Sequence, residues 1–332
     1  MRIDSSVTSL SWIPSEAIEG LAKMPFEVGI THYDEPPPDA IEDLEALRKG
    51  DRFREANELR AYVEFEDGRV SSYGQSGGGH IGSTTVRLGP ASIAFPAVRL
   101  ADITPDPVVG PTSVRFVQTV GGRMGLPTPR PVPRKPFFQL TPPIAWTTLA
   151  LTINSDGTTQ RELVGASPFP RHWVYDHAGK LVAKSAVIDF KTWFNDSFGV
   201  HTPWGAYDSP AVVTAVETAL ERQLSRTIMR SGTSPRIRTV DAGQSLVEQG
   251  DPGSEIFLLL DGVLSVIVDG NEVAEIGPGA ILGERAILEG GLRTSTLRAV
   301  TRARVAVASP DQIEESALAE VATGHRREQA PS

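Results

Sequence analysis

The chain has 332 residues, 40% of them hydrophobic and 22% charged, with a net charge of −9 and no cysteine. These are ordinary globular proportions, and the lack of Cys removes disulfides, thiol nucleophiles and thiolate metal sites together. No apolar run approaches the roughly 18 residues of a membrane span, and the N-terminus has no apolar signal segment, so a cytoplasmic protein is expected.

The length exceeds that at which one hydrophobic core stops growing, which predicts two domains. The charge is uneven: Gly232 to Ser332 holds nine Arg, no Lys and fifteen Asp plus Glu, a balance of −6. Neither part offers the clustered Lys and Arg that phosphate neutralisation needs, so nucleic acid is not an expected partner.

In chain order, Asp39 as N-cap with Glu42 three residues on, followed by Ile41, Leu44 and Leu47, predicts a helix over 39–49 that Gly50 ends. A second short helix is predicted over 51–59. From Ala61 the residues alternate, and Asp67-Gly68 supplies a hairpin turn. Strands are predicted at Thr84–Leu88, Ser92–Val98, Ser113–Val120, Trp146–Ile153, Thr158–Val164, His172–Tyr175 and Leu181–Ile188. The Pro-rich stretches Pro105–Pro111 and Pro127–Pro143 read as surface loops, because Pro breaks both helix and ladder.

A longer helix is predicted from Ser209-Pro210, a cap followed by Pro at the first helical position, to Gly232. Val213, Val216, Leu220, Leu224 and Ile228 form its buried stripe. Beyond Pro235, glycines at 243, 250, 253, 262, 270, 277, 279 and 283 punctuate short β-branched runs, the rhythm of a jelly roll with glycine corners. The expected architecture is mainly β with flanking helices. It comprises a β-sandwich or barrel over 1–205, a connecting helix over 206–232 and a β jelly roll over 233–332.

The segment Asp241-Ala-Gly-Gln-Ser-Leu-Val-Glu-Gln-Gly-Asp-Pro-Gly-Ser-Glu-Ile-Phe-Leu-Leu-Leu-Asp-Gly262 resembles the opening strands of the cyclic nucleotide-binding domain family. Gly283-Glu284-Arg285-Ala286-Ile287-Leu288 and Arg293-Thr294-Ser295 resemble its phosphate-binding cassette. The resemblance covers residues from about Arg236 to Ser309 and implies cAMP or cGMP as ligand, with no cofactor, metal or catalytic residue. It implies a turn at Gly283, backbone N–H groups of Arg285 and Ala286 facing a phosphate, and Glu284 accepting from the ribose 2′-hydroxyl. Arg293 would pair with the phosphate, and Thr294 or Ser295 would add a hydroxyl. Arg285 departs from the family, which commonly has an apolar residue there. Thr294 leaves the choice between cAMP and cGMP open.

Family transcription factors carry a DNA-binding domain after the roll, and with only a short segment past Pro310 none is expected here. That segment, Asp311 to Arg327, is expected to form a helix with Ile313, Leu318 and Val321 inward; in the family such a helix lids the pocket, which would let Arg326 or Arg327 reach the base, but surface arginines are the preferred reading. The chain is expected to be a regulatory sensor that signals to a protein partner, or to a second copy, through its N-terminal domain. The alternative is a nucleotide-regulated enzyme with catalysis in that domain. Gly74-Gln75-Ser76-Gly77-Gly78 fits the G-x-S-x-G pattern with His80 close by, but the motif needs a helix after the Ser and the following residues read as strand. His172 and His177 lie five apart on a strand or turn and would face opposite ways. Trp146, Trp173, Trp193 and Trp204 are expected to serve as core or interface aromatics.

Overall fold

The computed structural model describes residues 1–14, 17–18, 23–24, 33–88, 91–124, 128–131, 135, 138–198, 201–205, 211–217, 219–230, 235–308, 313 and 315–328. It divides into two compact units, Met1–Val213 and Thr214–Ser332.

The first unit begins with β1 (Arg2–Trp12), α1 (Leu44–Lys49), β2 (Glu55–Glu66), β3 (Arg69–Ile81), β4 (Ser83–Leu88) and β5 (Ala91–Pro96). It continues through β6 (Val98–Arg99), β7 (Val108–Val109), β8 (Ser113–Arg123), β9 (Thr128–Pro131), β10 (Phe138–Thr141), β11 (Ile144–Asn154) and β12 (Thr159–Ala166). Then come β13 (Arg171–Tyr175), β14 (Leu181–Ser185) and α2 (Phe190–Asp196), and the chain leaves the unit within β15 (Val213–Ala215). One sheet runs β14-β13-β1-β2-β3 and the other β12-β11-β8-β6. Their inner faces share a core: Val7, Leu59, Val63 and Phe65 from the first meet Val114, Phe116, Leu149, Leu151 and Ile153 from the second. Burial alternates along β2 because strand side chains alternate with period two, leaving Arg60, Tyr62 and Glu64 outside.

Several sequence expectations change here. Residues 55–59 open β2 instead of forming a helix, since Glu55 to Leu59 pair with Val7 to Ser11 of β1. The first helix starts at Leu44 and is capped by Asp43, whose carboxylate accepts from the N–H groups of Glu45 and Ala46 at 2.9 and 3.0 Å. Asp39 sits instead at a bend, its carbonyl accepting from Leu181 N–H at 2.9 Å. The second Pro-rich stretch holds a small ladder, β9 with β10, and the first holds β7, which pairs with β8; Pro127 lies outside the described residues.

A polar layer is sealed within this unit. Glu55, Ser11, Thr147 and His172 are buried. Ser11 Oγ lies 2.6 Å from Glu55 Oε2 and 2.7 Å from His172 Nδ1, and Thr147 Oγ1 donates to Glu55 Oε1 at 3.2 Å. His172 Nε2 faces the Ser167 carbonyl at 3.0 Å, so it carries a proton. One remaining proton is shared along the relay, on Glu55 or on His172. Burial disfavours both charged forms, pushing Glu55 up to about 8 and His172 down to about 4, so the proton sits on Glu55.

The second unit holds α3 (Ala219–Arg230), β16 (Arg236–Val240), β17 (Ser245–Val247), β18 (Ile256–Asp261), β19 (Leu264–Val268) and β20 (Asn271–Ile276). It ends with β21 (Ile281–Leu282), α4 (Glu284–Leu288), β22 (Thr296–Ala299), β23 (Ala303–Ala308) and α5 (Glu315–Glu328). Two four-stranded sheets, β16-β23-β18-β21 and β17-β22-β19-β20, form the roll. The unbroken apolar run of β18 is explained by burial on both faces. Phe257 and Leu259 fill the roll, while Ile256, Leu258 and Leu260 lie under Leu224 and Ile228 of α3 and Leu318 and Val321 of α5. Ile313, Leu318 and Val321 are thus buried, as the apolar spacing of the tail predicts. Of the longer helix expected from Ser209 the structure shows Ala219–Arg230; Val213–Ala215 is strand, in keeping with its β-branched residues, and Val213 is exposed instead of opening a buried stripe. Ser209, Pro210 and Gly232 lie outside the described residues.

Candidate functional site

The short β21 ends at Gly283, whose φ of +86° turns the chain into α4. Any Cβ there would meet Arg293 Nη1 at 2.6 Å and the Glu255 carbonyl at 2.8 Å, so conformation and space both require glycine. The turn delivers Glu284, Arg285 and Ala286 to a pocket that Arg293, Thr294 and Ser295 also line. Val247, Val266, Ala274, Ile276 and Leu297 form the apolar wall. All seven residues named from the sequence therefore line one cavity.

Arg293 is fixed from both ends. Its backbone is pinned to the 250–253 turn, with Arg293 N–H donating to Asp251 O and Gly250 N–H to Arg293 O, each at 2.8 Å. Its side chain is only 6% exposed; Nη1 donates to Glu255 O at 2.9 Å and the guanidinium lies over the Phe257 ring at 5.0 Å. Nε is buried with no hydrogen-bond partner among the described residues. Burial lowers the affinity of this guanidinium for its proton, and Glu255 and Glu284 oppose that. A buried cation with an unused donor is costly alone and is relieved by an anion.

Arg285 turns its side chain along α4 to Glu289, Nε donating to Oε1 at 3.2 Å. Glu284 is 3% exposed, and its Oε1 lies 3.0 Å from Nδ1 of His325, itself a pocket-lining residue on α5. The side chains of Arg326 and Arg327 lie outside the described residues. Sequence reasoning missed His325, although its spacing from Leu318 and Val321 places it on the same inward stripe.

In the first unit, Ser76 is an exposed residue of β3 paired across from Arg60, and His80 lies further along the same strand, about 13 Å away at strand rise. No helix follows the Ser, so the nucleophile geometry is not formed. His172 is buried in β13 and His177 is exposed in the turn that follows it, so the two do not converge. Trp146, Trp173 and Trp193 are core residues, whereas Trp204 is half-buried with Nε1 donating to Ala101 O at 2.7 Å. Among the described residues no cluster of His, Asp and Glu suits a metal ion, and no helix is long and apolar enough to cross a membrane.

Residues 237–318 match the family described as the cyclic nucleotide-binding domain, and this part of the chain is such a domain. The match leaves the first unit outside it. Over 66 residues the chain is 42% identical to a cyclic nucleotide-gated potassium channel of Mesorhizobium japonicum, a stretch that is 20% of this chain and 18% of the channel. Over 60 residues it is 35% identical to a cGMP-dependent protein kinase of Caenorhabditis briggsae, covering 18% and 8% of the two chains. The chain thus spans less than a fifth of either relative. A solved cyclic nucleotide-binding domain from Methylobacillus flagellatus shares 26% identity across 28% of this chain and 62% of that one, with a TM-score of 0.26.

Proposed function

We propose that the protein is a sensor of a cyclic nucleoside monophosphate, cAMP or cGMP, bound in the pocket between the Gly283 turn and Arg293. The observation that carries this reading is Arg293, a nearly fully buried cation whose Nε lacks a partner among the described residues. The cyclic phosphate bears one negative charge and oxygens in the plane a guanidinium fork addresses. The N–H groups of Arg285 and Ala286, free at the first turn of α4, add neutral donors to the same anion, and Thr294 and Ser295 supply hydroxyls. Glu284 accepts from the ribose 2′-hydroxyl. The base lies against the apolar wall, which buries its faces.

Occupancy is read out through α3, the helix by which the chain enters the second unit, and passes to a protein partner or a second copy through the first unit. The cytoplasm, where such nucleotides are made from nucleoside triphosphates, is the proposed compartment. Isothermal calorimetry on nucleotide-free full-length protein with cAMP and with cGMP tests the reading. Saturable binding of at least one is expected; no heat and no thermal stabilisation by either at millimolar concentration would overturn it. At about 100 times its dissociation constant, a ligand bound only to the native state stabilises by about 2.7 kcal/mol, readily seen in a melt.

A further inference from the structure

Three side chains from three helical elements meet beside the pocket. His325 of α5 places Nδ1 at 3.0 Å from Glu284 Oε1 and Nε2 at 3.3 Å from Glu221 Oε1 of α3. Each carboxylate is 3% exposed. Glu221 Oε1 also accepts from Ile281 N–H at 3.0 Å, which ties it to the strand leading into the Gly283 turn. A carboxylate oxygen faces each ring nitrogen, so both nitrogens donate and the imidazolium joins the two acids. Of the arginines nearby, Arg285 is paired with Glu289 and Arg222 donates to the Glu217 carbonyl, while Arg293, held by Glu255 O beside the Gly283 turn, also feels the charge of Glu284.

We infer that His325 is a positioning residue for ligand recognition: its hydrogen bond to Oε1 holds the Glu284 carboxylate in place and leaves Oε2 to accept from a ligand hydroxyl. This inference rests on the nucleotide-binding reading above. It assigns a role to a residue outside the Gly283–Ser295 segment. The His325 bond occupies Oε1, and Oε2 has no hydrogen bond among the described residues, so the acceptor left for the ligand is fixed in place. The hydrogen bonds to Glu221 and then to Glu284 raise His325 to about 10 against the effect of burial, so the imidazolium persists through the neutral range. Without it, Glu284 loses the side-chain hydrogen bond that fixes its carboxylate, and the acceptor offered to a 2′-hydroxyl is no longer held in one position.

The test is the ratio of affinities for a cyclic nucleotide and its 2′-deoxy form, measured by calorimetry on the full chain from pH 6 to 9. Wild type is expected to favour the ribose form with a ratio level in pH, because His325 stays charged throughout. H325Q is expected to lose about tenfold of that preference, because a neutral amide holds the Glu284 carboxylate less firmly than a charge-assisted bond does. A merely structural His325 would weaken both ligands alike and leave the ratio unmoved. Where H325Q melts too low to assay, the E221Q/H325Q double variant removes one buried anion together with the cation and carries the same expectation. A wild-type ratio near one, or a variant ratio equal to wild type, would overturn the inference while nucleotide binding stood. Failure of wild type to bind either form would instead remove the nucleotide-binding reading itself.

Discussion

The Cβ that Gly253 lacks would lie 2.0 Å from Nε of Arg293 and 2.3 Å from its Cζ, so the arginine reaches the pocket over a bare backbone. Gly253 is not in the left-handed region, and alanine suits its backbone; the conflict is with the guanidinium alone. Gly253→Ala is therefore expected to displace Arg293 and weaken nucleotide binding by about tenfold or more, the scale of loss when a positioned group shifts by an ångström. Calorimetry reads the affinity and a melt in the absence of ligand reads the fold. Unchanged affinity would mean that Arg293 does not contact the ligand from its observed position.

Truncating the arginine itself separates charge from geometry. Arg293→Ala leaves the phosphate without its charged partner, an effect of about 2–5 kcal/mol on binding. Arg293→Lys keeps a positive charge but loses the planar fork and the stacking on Phe257, so it is expected to fall between wild type and alanine. A lysine variant that binds as tightly as wild type would show that only charge matters at this position.

The polar layer of the first unit makes a pH prediction. Glu55 is raised to about 8 in the fold against 4.5 in an unfolded chain, so its contribution is complete below the lower value and is lost as pH rises through the upper one. His172 is lowered to about 4 from 6.5, which gives stability that grows as pH rises between those values. The two oppose each other in acid, and between pH 6.5 and 8 only the Glu55 slope remains, on the order of 2 kcal/mol for one proton. Melting of the first unit is expected to fall over that window in wild type and to stay flat in Glu55→Gln, whose amide can donate to Ser11 as the protonated acid does. Parallel pH profiles for the two proteins would place the proton on His172 instead.

What the sequence disclosed follows the physics of each element. Asp67-Gly68 marked the β2–β3 hairpin because both residues have positive φ there, 51° and 74°. The cassette was legible through its resemblance at Gly283, Glu284 and Arg293, which are close in the sequence and line one pocket. β1 was not, since its inward positions include Ser9 and Ser11, polar partners of Thr147 and Glu55, which erase the alternation of apolar residues. The same network hid the start of β2 at Glu55. Asp43 displaced Asp39 as the cap of α1 because Ala40 makes a bridge to Lys180, a long-range pairing that local spacing does not reveal. His325 went unnoticed because its partners, Glu221 and Glu284, lie 104 and 41 residues away.

The last prediction concerns how occupancy leaves the pocket. Leu224 and Ile228 of α3 share a buried cluster with Leu318 and Val321 of α5 and with Ile281 at the foot of the Gly283 turn, and Leu220 packs against that cluster. α3 thereby touches both the element that carries Glu284 and the helix that carries His325. A ligand shifts such an arrangement only if it binds one packing more tightly than another, and the coupling is reciprocal. Hydrogen exchange over 219–230 and 315–328 is thus expected to slow on adding nucleotide, while exchange in β8 and β11 of the first unit changes little. Leu220→Ala, which lies outside the pocket, is expected to change nucleotide affinity severalfold. Because Leu220 is only half-buried, its truncation should cost less than the ~2–5 kcal/mol of a core leucine, and a melt alongside the binding measurement separates that cost from coupling. Protection of 283–295 by nucleotide with exchange across 219–230 unaltered would mean that α3 tethers the sensor without reading it.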